Sequence, residues 1–129
     1  MTVELKYLTL AAAWNAIIWM PYILNQIAVR GVSNAVGYPA NPTPLAGWAQ
    51  RLKAAHYNAV ENLVLFATVV LVAHLAGANN EATAMCAITF FYARIVHTFA
   101  YAFAVPWVRT LAFAVGWMAI LCFLAQILL

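Results

Sequence analysis

The hydrophobic positions of this chain fall into four long blocks, and the polar residues inside those blocks follow a helical period. The blocks cover about residues 5–29, 48–76, 81–104 and 107–129, each near the roughly 20 residues that a helix needs to cross a hydrocarbon core of about 30 Å. Pro21 interrupts the first block, "GANN" separates the second from the third, and Pro106 stands where the first turn of a helix accepts a proline. Between the first two blocks lies "GVSNAVGYPANPTPLAG", rich in Gly, Pro and Asn. It is the one long connection and the expected place for a shaped, non-helical element. The pattern predicts an all-α membrane protein, a single domain over residues 1–129 folded as a bundle of four transmembrane helices.

At 100° per residue, Arg51, Asn58 and Asn62 of "RLKAAHYNAVEN" fall within about 40° of one another, Glu61 lies about 60° from Asn58, and His56 points elsewhere. In "ARIVHTFAYAFAVPWVR" the residues Arg94, His97, Thr98 and Tyr101 follow an i, i+3, i+4, i+7 spacing, one stripe about 100° wide. A weaker stripe in the first block holds Asn15, Trp19, Tyr22, Gln26 and Arg30. Counted from the ends nearest the long loop, Glu61 lies about 15 Å deep and Arg94 about 18 Å at 1.5 Å per residue. A carboxylate and a guanidinium at one depth are expected to neutralise each other.

Composition supports the membrane reading. The chain is 67% hydrophobic and 7% charged, with a mean hydropathy of +0.89, far from the quarter charged residues of ordinary soluble domains. Six basic residues scattered among apolar runs form no basic stripe, so nucleic acid is not an expected partner. Cys86 and Cys122 lie in apolar runs without metal-ligand spacing, and the expectation for them is packing rather than a disulfide or a zinc site. No metal is expected at His56, Glu61 and His97 either, because His56 and Glu61 diverge by about 140° on their helix. A Ser/His/Asp hydrolase is excluded: Asp is absent and Ser33 is the only serine. The first block runs past the length of a signal-peptide core and carries both Glu4 and Lys6 beside it, so it is expected as a retained helix. Arg30, Arg51 and Lys53 flank the long loop and Arg109 follows the third connection, which predicts a cytoplasmic long loop with both termini on the opposite side.

Ionisable residues inside a membrane are costly and mark function or tight pairing. Polar contacts that pin helices together would account for a few of them. Four Arg, a Glu and several Tyr exceed that need, and Arg grips carboxylates in bidentate fashion, so the set points to an anionic, carboxylate-bearing ligand.

Two stretches carry a family resemblance. "AAHYNAVEN" resembles the second-helix motif, and "ARIVHTFAYAFAVPWVR" the third-helix motif with its following Pro and Arg, of the membrane-associated proteins in eicosanoid and glutathione metabolism (MAPEG), in particular a bacterial-type member similar to microsomal glutathione transferase. The resemblance covers essentially the whole chain. It implies a homotrimer in contact with membrane lipids, with glutathione as cosubstrate held between subunits near the cytoplasmic face. The lack of a transit signal leads us to expect a bacterial inner membrane as location. Residue by residue, it implies that Glu61 takes the amino group of glutathione beside Asn58, and that Arg94, His97 and Tyr101 form the third-helix part of the site. It further implies that Arg109 faces the sulfur and that Arg30 binds a carboxylate. The chain departs from the motif at Ala54, where the family has Arg, and at Ala59, where an acid often stands; Arg51, on the same side as Ala54, is the expected substitute. The implied reaction is addition of an activated glutathione thiolate to a lipophilic electrophile, or reduction of a lipid hydroperoxide. The implied alternative is a non-catalytic trimer of the same fold that serves as a lipid-binding or accessory subunit.

Overall fold

A computed structural model describes all 129 residues. The chain is all-helical: α1 (Val3–Ile17), α2 (Trp19–Arg30), α3 (Val32–Val36), α4 (Gly47–Leu75), α5 (Glu81–Ala102) and α6 (Pro106–Leu128). Four helical segments are long and apolar enough to cross a membrane, with α1 and α2 together forming the first. Their outward faces carry large apolar side chains such as Leu65, Val96, Trp107 and Trp117, which suits hydrocarbon rather than water.

The break between α1 and α2 has a local cause. Pro21 has no N–H to donate to the carbonyl of Ile17, so the ladder is interrupted there and Ile18 becomes the cap of α1. After α2, Gly31 adopts φ 77°, a left-handed conformation suited to glycine. The long connection is more ordered than its composition predicts, because α2 holds it. Gln26 Nε2 donates to Ala35 O at 2.9 Å, Arg30 Nε to Thr43 O at 2.7 Å, and Asn25 Oδ1 accepts from Ala46 N at 3.0 Å. These bonds support the short α3, a helical turn that hydropathy and turn residues alone do not reveal.

The bundle has two apolar centres. One surrounds Phe66, Phe90 and Phe123, with Phe66 and Phe90 stacked at 3.9 Å, in the half remote from the long loop. The other gathers Tyr22, Leu45, Ala49, Leu52 and Ala102 near the loop. Helices α5 and α6 form a tight antiparallel hairpin. Gly116 faces α5 there, within ordinary contact distance of Arg94, Phe90 and Ala93. The hairpin turn closes through Val105 N, which donates to Ala100 O at 2.8 Å. Ala104 sits at its apex with φ 58°, a left-handed position that helix ends usually give to glycine.

Two features differ from expectation or escaped it. Cys86 and Cys122 are not packing residues but a disulfide between α5 and α6, with Cα atoms 6.6 Å apart. The hairpin brings them level, because each stands 18 residues from Ala104. Maleimide labelling of the purified protein in denaturant is therefore expected to modify no cysteine before reduction and both after it.

Glu4 is buried, 4% exposed, and accepts from Thr83 Oγ1 at 2.5 Å. Thr83 in turn belongs to a capping box with Asn80 that starts α5. The carboxylate thus lies where two helix N-termini meet, and helix dipoles favour an anion there. Glu4→Ala is expected to lower stability in detergent by about 0.5–1.5 kcal/mol, the net worth of one hydrogen bond, because the Thr83 hydroxyl can turn to the Asn80 carbonyl at 2.8 Å, seen as a lower melting temperature.

Candidate functional site

Between the two apolar centres runs a polar seam built by α4, α5 and α6. The stripe on α5 turns inward, with Arg94 5% exposed, His97 2% and Thr98 2%. Arg94 donates through Nη2 to Asn58 Oδ1, and Asn62 Nδ2 reaches the Asn58 carbonyl at 2.9 Å. The expected Glu61–Arg94 pair does not form. Glu61 matches Arg94 in depth but not in direction: it lies on the exposed side of α4, whereas Asn58 faces α5. The guanidinium also lies 5.9 Å from the Phe113 ring centre, a cation–π contact that favours a buried cation. Arg94 Nε and His97 Nδ1 have no partner within the protomer.

Toward the long loop the seam opens into a cavity of about 190 Å³ lined by Arg51, Tyr101 and Arg109 with Ala100, Ala104, Val105 and Pro106. Each side chain is held by a specific contact. Arg51 Nε donates to Ala102 O at 2.9 Å, which places a cation on the negative end of α5. Gly47 leaves it room, since a side chain there would approach Arg51 Nη1 to 3.2 Å. The Arg109 guanidinium lies 4.8 Å from the Tyr101 ring centre, and Tyr101 packs edge-on against His97 at 5.7 Å. Arg109 is in the first turn of α6. A cation is unfavourable beside the positive end of a helix dipole. That cost is offset when an anion sits between the two, and no carboxylate of this chain lines the cavity.

The remaining candidates lie elsewhere in the protomer. Arg30 is occupied with the Thr43 carbonyl and does not reach the cavity. His56, on the other side of α4, is hydrogen-bonded through Nδ1 to the Tyr22 hydroxyl at 2.7 Å. Ala59 is buried, 3% exposed, so an acid at that position would enter the packed interior; Ala54 is half-buried. Sequence reasoning missed Phe113, which closes over both Arg94 and His97. An aromatic residue in an apolar helix gives no separate signal.

The sequence model of the MAPEG family matches residues 9–129, which include every residue of the seam and the cavity. The chain belongs to the MAPEG family. Glutathione transferases and peroxidases are found in this family alongside non-catalytic members, and its members are often trimers. No curated protein and no solved structure matches this MAPEG chain.

Proposed function

We propose that this MAPEG protein is a glutathione-dependent transferase or peroxidase of a bacterial inner membrane. The carrying observation is the convergence of Arg51, Tyr101 and Arg109 on one cavity that contains no carboxylate. A thiol is nucleophilic as its thiolate, and at neutral pH a free thiol is mostly protonated. Arg109, backed by the helix start, favours the anion. Arg51 takes a glutathione carboxylate in place of the arginine missing at Ala54. Asn58 and Arg94 hold the seam beneath it, with His97 fixing the Tyr101 ring.

Glu61 lies at mid-span and is exposed on the protomer. A charge facing lipid there costs about 2.5–3.5 kcal/mol, which favours a homotrimer in which a neighbouring copy covers it and Glu61 takes the ammonium of the tripeptide. Arg30 then joins the site from an adjacent copy. The long loop faces the cytoplasm and both termini the opposite side. The basic residues around the loop favour this orientation, and the disulfide lies near the other end of the bundle, where an oxidising compartment preserves it.

In transfer, the thiolate forms a C–S bond to the electrophilic carbon of a lipophilic cosubstrate, and that carbon loses its leaving group or its neighbour takes up a proton. With a lipid hydroperoxide, attack breaks the O–O bond and gives an alcohol and a glutathione sulfenic acid. A second glutathione converts this to glutathione disulfide and water. The alternative, a non-catalytic lipid-binding or accessory subunit of the same fold, is favoured by the loss of the motif arginine at Ala54.

The deciding experiment is the ultraviolet difference spectrum of the purified protein on addition of glutathione at neutral pH. Saturable thiolate absorbance supports the transferase or peroxidase reading. Absence of thiolate from an intact oligomer overturns it and leaves the accessory role.

A further inference from the structure

A second cavity, of about 340 Å³, opens on the opposite side of the α4–α5 contact, at the break between α1 and α2. Ile18, Leu52, Thr98 and Ala102 form its buried floor, and the indoles of Trp14 and Trp48 stand beside them. It shares no lining residue with the Arg51–Tyr101–Arg109 cavity, so the two are distinct sites.

The polar side-chain atoms at its floor are already paired. Trp14 Nε1 donates to Thr98 Oγ1 at 3.2 Å, and Thr98 Oγ1 donates to Arg94 O at 2.9 Å. Nothing in the floor is left to bind water or a polar ligand. Wall atoms facing a void forfeit their dispersion contacts, so a hydrocarbon occupant is favoured. The mouth opens among Ile17, Trp48 and Phe103, all exposed, at the loop end of the bundle, where Lys53, a cation the proposed glutathione site does not use, directly follows Leu52 of the floor. No acidic residue lies at that end: Glu4 and Glu81 start helices at the other, and Glu61 lies mid-span.

We infer that this cavity holds one acyl chain of an anionic phospholipid, whose headgroup rests on the basic end of the bundle. The cavity lies at the α1–α2 break, where Ile17, Ile18 and Pro21 line it. The occupant is a resident lipid rather than the reacting cosubstrate, since its cavity shares no lining residue with that of Arg109.

The test is fluorescence quenching by phospholipids with brominated acyl chains, in a protein that keeps only Trp14 and Trp48 (Trp19→Phe, Trp107→Phe and Trp117→Phe together). Those three indoles are outside both cavities and are exposed. Brominated phosphatidylglycerol is expected to quench saturably at about fivefold lower mole fraction than brominated phosphatidylcholine, the preference that one Lys or Arg near a membrane surface confers. Ala102→Leu from the floor, or Ile17→Phe from the exposed rim, is expected to abolish that preference. Ile17→Phe decides the matter should Ala102→Leu fail to fold. Equal quenching curves for the two lipids, or a preference unchanged by filling the cavity, would overturn the inference.

Discussion

Arg109→Ala is expected to lower kcat/KM for glutathione addition to a lipophilic electrophile by about 10- to 30-fold at neutral pH, because a neighbouring guanidinium lowers an acid's pKa by one to three units, and a free thiol with pKa near 8.5 is about 3% thiolate at pH 7, so full ionisation gains about 30-fold. The loss should shrink as pH rises toward the free thiol's own pKa, where thiolate forms without help. That convergence separates an electrostatic role from a structural one, since a misfolded site would stay inactive at every pH. Arg109→Lys should recover only part of the rate. Lysine keeps the charge but lacks the planar group that stacks over Tyr101. Steady-state rates across pH for the three proteins, with the oligomer checked by size exclusion, provide the measurement. A loss that persists unchanged at high pH would sink the electrostatic account.

The second large effect concerns the seam. Asn58→Leu removes the acceptor of Arg94 and leaves a guanidinium buried among α4, α5 and α6. Removing the acceptor of a hydrogen bond from a buried charged group costs about 1.5–3 kcal/mol. The variant is therefore expected to melt well below the parent in detergent or to fail to assemble. Asn58→Asp should instead keep the fold, because a carboxylate at the same place accepts the same bond and neutralises the charge. Thermal unfolding of the two variants checks both outcomes. Comparable melting of Asn58→Leu and the parent would show that Arg94 finds another partner.

Much of this architecture is legible in the residues. Four apolar blocks of spanning length define the helices, and the period of Arg94, His97, Thr98 and Tyr101 identifies the face of α5 that turns inward. The misses have physical reasons. Depth along an axis is read to within a turn, and one turn is enough to match Arg94 with Glu61 as well as with Asn58. Only the direction of each side chain separates them, and that depends on which neighbour α4 faces. The Glu4–Thr83 contact joins residues 79 apart in sequence and has no local signature. The disulfide is different: its two cysteines are equidistant from the hairpin apex, so the pairing was available once the turn at Ala104 was fixed. Arg30 holds the loop through the Thr43 carbonyl in its own protomer, a use that its place at the end of the first apolar block does not reveal.

The α5–α6 hairpin carries an oxidised sulfur pair near one end and the proposed thiol cavity near the other. From Cys86 to Tyr101 is about 22 Å along α5 at 1.5 Å per residue. Exchange between a thiol and a disulfide requires one sulfur to attack the other directly, and the packed Phe66–Phe90–Phe123 centre lies in the same half of the bundle as the bridge. The helix therefore acts as an insulating spacer: a thiol bound in the proposed cavity would not reach the cross-link.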